Sequence, residues 1–531
     1  MNREAHVDKL KSDSFDVLVI GGGATGAGVA LDAATRGLKV AMLERDDFSA
    51  GTSSRSTKLI HGGVRYLEKA VKQLDRSQFN LVRDALKERA VLIKIAPHLA
   101  KPLAIVTPLY NVLQVPYFLT GLKLYDTLAG KANLAPSRFV DAKEALNRFP
   151  MLQPEGLRGA VLYYDGQFDD ARMNVALVLT AAEEGATVAN HVEVTGLVKE
   201  NGTLSGASVH DTLTGDRWDI HAKVIVNATG PFTDGIRHMD DPNAVNMLSA
   251  SSGVHIILDK SFSPPETGLL IPETEDGRVL FLLPWLDHTL VGTTDNPATI
   301  EPNPQATEDD IEYILRHLRK YFATPATRDN VLSSWSGLRP LVSDPKAADT
   351  AQLSRDHVIN VSESGLVTIA GGKWTTYRKM ALDTVDEVIK VGSLTVDRGS
   401  QTETLKLVGA KRYTPTLASD LQDQFKVDID VASYLSRAYG DQASDVLAQG
   451  HLDRLVEGHP FLDAEVLYAA QHEASRSTRD FLARRIRLGF LDKDATHKAI
   501  PKVTDLLGES LGWDEGKRAQ ERETAEAYFA S

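Results

Sequence analysis

Residues 16–44 constrain this chain more than any other stretch. Asp16-Val17-Leu18-Val19-Ile20 is an apolar run that passes directly into Gly21-Gly22-Gly23-Ala24-Thr25-Gly26. Val29, Ala30, Ala33 and Ala34 then recur at helical spacing up to Arg36-Gly37, and a second apolar run, Val40-Ala41-Met42-Leu43, stops at Glu44. Strand, glycine turn, helix, strand and acid in this order predict a dinucleotide-binding βαβ unit. Gly21 permits the tight turn, Gly23 lets backbone approach a pyrophosphate, and Gly26 lets the helix pack closely on the strand. Ala24 and Thr25 open the helix, where free N–H groups and the positive dipole end face phosphate. Glu44 is placed to accept hydrogen bonds from ribose hydroxyls.

A chain of 531 residues exceeds what one hydrophobic core usually serves, so two or three domains are expected. A formal net charge of -13 without any lysine-rich run argues against general nucleic-acid binding and leaves room for a local basic pocket. There is no cysteine, which removes disulfides, thiolate zinc sites, iron–sulfur clusters and a cysteine-linked flavin together. Redox chemistry here would rest on an organic cofactor. Residues 1–14 are polar and lack the apolar core of a signal peptide, so a cytoplasmic location is expected. The longest apolar region, 102–130, is broken by Pro108 and Pro116 and carries Lys123 and Asp126, too interrupted to span a bilayer.

Beyond Glu44 the segment 48–58 is dense in hydroxyls and small residues, including Thr52, Ser53, Ser54 and Lys58, and leads into Leu59-Ile60-His61-Gly62-Gly63. Such a composition suits a loop threading past a ligand. Residues 77–96 read as an amphipathic helix closed by Pro97. Residues 110–129 are apolar and aromatic, fitting either a helix lying in a membrane interface or an ordinary core helix. Strands are expected at 160–165, 187–191, 192–198 and 204–210, the last two joined through Asn201-Gly202. A buried strand at 222–226 ends in Asn227-Ala228-Thr229-Gly230. From 250 to 295 the pattern becomes short strands and turns, predicting a mostly antiparallel sheet that walls a pocket. A helix follows at 309–322 and a strand at 331–339, stopped by Pro340. A second strand–glycine–helix junction, 366–370 into Gly371-Gly372-Lys373-Trp374-Thr375, offers another helix N-terminus to the same cofactor. After a polar linker near 392–404 the chain reads as mostly helical, with helical periodicity at 464–474 and 477–488.

One βαβ unit does not separate nicotinamide from flavin. The long insertion and the two distant returns to the sheet, at 227–230 and 371–372, fit an FAD lying across one discontinuous domain with a second domain over its ring. The resemblance then becomes specific. Gly21 to Gly28, Thr52 to Glu68, Ala96-Pro97-His98-Leu99, Asp169-Asp170-Ala171-Arg172, Asn227 to Pro231, Gly292-Thr293-Thr294-Asp295, Ser336 to Pro340, Ser354-Arg355-Asp356 and Gly371 to Arg378 resemble the FAD-dependent glycerol-3-phosphate dehydrogenases. The blocks keep their order from about 16 to 492.

That resemblance implies an α/β fold with an FAD-binding Rossmann-like domain of the glutathione-reductase/D-amino-acid-oxidase type at 14–100, 160–250 and 335–392. An antiparallel-sheet substrate domain would occupy 101–159 and 251–334, and a helical C-terminal domain 400–531. It implies oxidation of sn-glycerol 3-phosphate to dihydroxyacetone phosphate, with hydride passing to FAD and electrons to a membrane quinone. A glycerol-3-phosphate oxidase using oxygen is the alternative. A phosphate dianion calls for fixed cations, and Arg65 with Tyr66, Arg339, Arg355 and Lys373 match the family's substrate positions. Alcohol oxidation calls for a base, for which His61 and His255 are candidates, with Arg339 favouring the alkoxide. The cofactor set is Gly21, Gly23, Ala24, Thr25, Gly26, Glu44, Arg45, Thr52, Ser53, Ser54, Lys58, Leu59, Ile60, His61, Gly62, Gly63, Ala228, Thr229, Gly230, Gly371, Gly372, Lys373, Trp374 and Thr375, with no metal. Peripheral contact with the cytoplasmic face of the membrane is expected, and the C-terminal helices suggest capping or a homodimer. One departure stands out: the family often carries a lysine two residues before Gly253, where this chain has Ser251.

Overall fold

The computed structural model describes residues 1–63, 76–111, 113–343 and 357–530. Its two sheets follow from two kinds of sequence pattern. Ser14–Ile20, Val40–Leu43, Val367–Gly371 and the second half of Arg217–Asn227 are continuous apolar runs, the signature of parallel strands covered on both faces. They form the centre of the first sheet, in the order His357–Val361, Val367–Gly371, Arg217–Asn227, Ser14–Ile20, Val40–Leu43, Thr187–Ala189. Val17 pairs with Val224 on one side and Val40 on the other. A hairpin, Val192–Glu200 and Thr203–Asp211, extends the sheet antiparallel to Arg217–Asn227 through the expected Asn201-Gly202 turn. The helix Ala24–Thr35 packs against both Asp170–Glu183 and Tyr377–Gly392. Gly26 makes its entry possible, since a Cβ there would lie 1.8 Å from the Gly21 carbonyl oxygen.

The second sheet has ten strands and is antiparallel except where Thr267–Ile271 runs parallel to Ala100–Leu109. Its strands alternate toward a core of Val254, Ile256, Leu258, Leu280, Leu282 and Val291, covered by the helix Glu308–Tyr321.

The structure differs from the sequence reading in three places and adds a helix where none was assigned. The strand expected to stop at Pro340 runs on as Val331–Val342, with Pro340 opposite Ala250; among the described residues its one partner strand is Leu248–Asp259, and an edge tolerates a residue without an N–H. Gly159–Phe168 and Val331–Val342 belong to the second sheet, although the boundaries 160–250 and 335–392 place most of each with the FAD-binding unit. The reason is register: Gly159–Phe168 pairs along its whole length with Ala100–Leu109. Residues 477–488 are not one regular helix but a short turn, Thr478–Asp480, and a π-helix, Phe481–Arg485. The polar N-terminus forms a helix, Arg3–Ser12, capped by the Asn2 side chain accepting from the Ala5 N–H at 3.0 Å.

The C-terminal helices close the molecule. Phe481, Phe490, Ile500 and Leu507 share one continuous core with Leu103, Leu283, Trp285 and Trp335 of the second sheet.

Candidate active site

A cleft of about 480 Å³ opens where the parallel strands end. Gly21, Gly23, Ala24, Thr25, Glu44 and Arg45 line one side, Thr52, Ser53, Ala228, Thr229 and Gly230 the middle, and Gly371, Gly372, Lys373 and Trp374 the other end. The first and last strand–glycine–helix junctions therefore meet across a single space. Several of its walls are held from behind. Ser53 Oγ accepts from the Ala24 N–H at 2.9 Å, capping a helix whose own cap residue, Gly23, has no side chain. Trp374 Nε1 donates to the Ser53 carbonyl at 2.9 Å, and Thr52 Oγ1 to the Leu338 carbonyl at 2.6 Å. Glu44 accepts from the Gly22 N–H at 2.8 Å and the Asp46 N–H at 3.0 Å. Arg45 lies over the Phe232 ring at 4.0 Å, beside the apolar cleft residues Val192, Val194, Ile236 and Met239. This end fits a flat aromatic base, and the stretch lined by Gly21, Gly23 and the start of the helix Ala24–Thr35 fits a pyrophosphate.

The loop after Ser53 turns inward. Lys58 is fully buried, and its ammonium donates to Asp170 Oδ2 at 2.7 Å and to the Ser54 and Ser56 carbonyls. Burial lowers its pKa to about 8, and Asp170 limits the fall. Asp170 also accepts from the Ser56 N–H and hydroxyl. Gly26, Ser54, Lys58, Leu59, Ile60 and Thr375 support the cleft rather than line it. Leu59–Ile60 is a short strand paired with Gly166 and Gln167. Its continuation is fixed at two amides: the His61 N–H donates to Thr375 Oγ1 at 3.2 Å, and the Gly62 N–H to the Tyr125 hydroxyl at 2.7 Å. Gly63 follows with a φ of 78°. Tyr125 in turn donates to Asp165 Oδ1 at 2.8 Å, which also receives Arg89 Nη1 at 2.7 Å.

Arg339 sits on the second sheet beside Pro340, which lines the cleft. Its Nη1 donates to Asp295 Oδ1 at 3.1 Å and the Ser252 carbonyl at 3.2 Å; its Nη2 donates to Thr293 Oγ1 at 3.1 Å and the Thr294 carbonyl at 2.9 Å. The guanidinium occupies the space above Gly253, where a Cβ would lie 2.3 Å from Nη2. His255, two residues on, is only 2% exposed; its ring stacks on Trp335 at 4.2 Å, and Nε2 lies 2.9 Å from Thr57 Oγ1. Burial, with Lys58 and Arg339 nearby, holds this imidazole neutral, far below its ordinary pKa. The His61 ring meets Phe281 edge-on at 6.2 Å. Arg65, Tyr66 and Arg355 lie outside the described residues.

Comparison with known proteins bears on this geometry directly. Residues 16–378 match a family model described as FAD dependent oxidoreductase. Residues 400–518 match one described as the C-terminal domain of alpha-glycerophosphate oxidase. The mitochondrial glycerol-3-phosphate dehydrogenase of Macaca fascicularis is 49% identical over 546 residues, covering 99% of this chain and 75% of the relative. The chain belongs to the FAD-dependent glycerol-3-phosphate dehydrogenase family.

The solved glycerol-3-phosphate dehydrogenase of Bacillus halodurans, complexed with FAD, superposes with a TM-score of 0.80 at 30% identity, covering 99% of this chain and 97% of that one. The L-alpha-glycerophosphate oxidase of Mycoplasma pneumoniae gives 0.57 at 18% identity over 74% and 98% of the two chains, and so shares the fold. As a member of this dehydrogenase family the chain is an FAD-dependent oxidoreductase. Sequence reasoning missed several residues that shape its site: Thr57, Asp170, Tyr125, Asp165 and Asn174, whose Nδ2 donates to the Gly22 carbonyl at 2.8 Å. Asp170 stood in a recognised block without a role. Nothing local distinguished Tyr125 from Tyr117 in the same helix.

Proposed function

We propose that the protein oxidises sn-glycerol 3-phosphate to dihydroxyacetone phosphate and passes the electrons to a membrane quinone. The observation that carries this reading is a guanidinium, Arg339, held rigidly at the edge of an FAD-shaped cleft and about one-fifth exposed. Arginine matches phosphate and alkoxide oxygens by its fork and stays charged throughout. Lys373 supplies a second cation on the cleft wall, and Arg65, Tyr66 and Arg355 complete the substrate set by family resemblance. On this reading Glu44 accepts from the adenosine ribose and Gly21, Gly23, Ala24 and Thr25 receive the pyrophosphate, while Gly26 lets the helix approach the strand behind them. The chemistry supplied by FAD is acceptance of a hydride at flavin N5.

The hydroxyl proton needs an acceptor that can reach it. His61 is part-exposed, on a loop fixed by Thr375 and Tyr125. His255 is sealed beneath Trp335 with its Nε2 already shared with Thr57. We therefore assign proton transfer to His61, with His255 setting the position of the Thr57 loop. Quinone reduction requires approach to a membrane, and Leu113, at the cap of the helix Gln114–Ala129, and Tyr117 in its first turn, 83% and 48% exposed, give its N-terminal end an apolar patch. Among the described residues no helix is long and apolar enough to cross a membrane.

The test is anaerobic addition of glycerol 3-phosphate while the flavin absorbance is followed. Bleaching is expected with this substrate and not with glycerol; a flavin that stays oxidised ends the reading. Oxygen uptake with peroxide release, in place of quinone reduction, would instead assign the oxidase activity.

A further inference from the structure

The segment that follows Glu44 is held by residues from the opposite end of the chain. Asp47, fully buried, accepts from Arg484 Nε at 2.6 Å, Arg485 Nη1 at 2.8 Å, Arg485 Nη2 at 3.0 Å and Asn190 Nδ2 at 3.0 Å. Asp46 pairs with Arg479, and its carbonyl accepts the His191 N–H at 2.7 Å. Asp480 completes the set, bonded to His191 Nε2 at 2.8 Å and Arg484 Nη2 at 2.8 Å.

Two features separate this lattice from a generic domain contact. First, side chains of successive residues on an α-helix do not face one point, yet Arg484 and Arg485 reach the same carboxylate. They do so from the π-helix Phe481–Arg485, an irregularity that recurs at functional sites. Secondly, the lattice ends on the backbone that fixes Glu44: the Asp46 N–H is one of the two amides orienting its carboxylate. Asp47, His191 and Asp480 have ligand atoms close enough for a metal ion. Each oxygen of those two carboxylates already accepts from Arg484, Arg485, Asn190, His191 or the Arg476 N–H, so none is left unshared for a metal ion.

We propose that the C-terminal helical region retains FAD at a distance: Arg479, Arg484 and Arg485, acting through Asp46 and Asp47, hold Glu44 in place for the adenosine ribose. None of the described residues lining the cleft lies in that region, so these arginines are positioning residues. The proposal rests on the reading of Glu44 as the ribose acceptor.

The experiment measures FAD dissociation from the full-length holoenzyme by the rise in flavin fluorescence. Arg479→Ala and Arg485→Met are each expected to weaken FAD binding by about tenfold or more, since small misplacements of a binding group cost that much. Added FAD should restore kcat with the substrate KM unchanged, and Arg485→Lys should recover part of the affinity. Arg454→Ala, in the same region but paired on the surface with Asp428 and Asp430, should retain FAD as wild type does. Where Arg485→Met does not fold, Arg479→Ala decides the matter alone, its side chain being 26% exposed. Folded arginine variants with wild-type FAD affinity overturn the proposal. A Glu44→Gln variant separates the two layers. If it also keeps wild-type affinity, the ribose reading falls as well; if it alone loses FAD, only the coupling falls.

Discussion

Arg339 and Gly253 illustrate how a missing side chain is used. The guanidinium lies where any Cβ at 253 would stand, and Thr293 Oγ1 closes the same space at 2.5 Å. Gly253→Ala should displace the guanidinium while leaving the cleft lining untouched. The expected result is a fall in kcat/KM of about a hundredfold with FAD content unchanged; wild-type kinetics would show that the placement of Arg339 is not critical. His191 gives a second prediction, in pH. Its burial lowers the imidazole pKa, but Asp480, with Asp47 and Asp46, outweighs burial and raises it above 6.5. Arg484 faces the same carboxylates. A histidine raised in the folded state contributes stability that is full below pH 6.5 and lost as pH rises through the folded value. His191 has a φ of 56°, which asparagine tolerates well. His191→Asn should therefore flatten the decline in thermal stability as the pH rises above about 6.5; parallel profiles for the two proteins would remove the charged pair from the account.

The helix Gln114–Ala129 serves two directions at once. Leu122 and Tyr125 face inward, where the Tyr125 hydroxyl receives the Gly62 N–H and donates to Asp165; Leu113 and Tyr117 face out. Tyr125→Phe strands a buried amide beside His61, at a cost of about 1–3 kcal/mol, and should lower kcat while FAD stays bound. An unchanged kcat would mean that the loop holds without this bond. Replacing both Leu113 and Tyr117 by serine should abolish binding to liposomes without affecting dye-linked turnover. Polar replacement of Leu122 would probe the core instead, since that side chain is 2% exposed. The Gly21 to Gly26 turn was legible from its spacing between strand and helix; Gly26 answers a demand made within the turn, the Gly21 carbonyl, whereas Gly21 and Gly22 are crowded by Ala228 and Glu44 from distant segments. Composition told that 110–129 is apolar and aromatic but not what the Tyr125 hydroxyl touches, because that partner lies in another element. For the same reason residues 477–488 read only as an ordinary helix: Arg479, Arg484 and Arg485 find Asp46 and Asp47 near the start of the chain, and no local rule reports those partners.

At the scale of the whole molecule the two halves of the sequence share one interior. Trp335 of the second sheet stacks on His255 at 4.2 Å and meets Phe490 of the C-terminal region edge-on at 5.5 Å, while the Lys58 ammonium lies over its ring at 4.6 Å. Together with the arginine lattice on Asp46 and Asp47, this joins the C-terminal helices to both the substrate-side sheet and the cofactor-side loop. Large multidomain chains commonly unfold in stages, but here no stage can release the helices without exposing Trp335 and unpairing buried aspartates. Heating the holoenzyme should accordingly give flavin release and loss of far-ultraviolet helix signal at one temperature. Phe490→Ala leaves a cavity against Trp335 and should cost about 3–5 kcal/mol, moving both signals down together. If the helix signal falls while flavin remains bound, the C-terminal region melts on its own and the shared interior does not couple the halves. If both shift in step, the same contact that supports the histidine side of the site also sets the temperature at which the cofactor is lost.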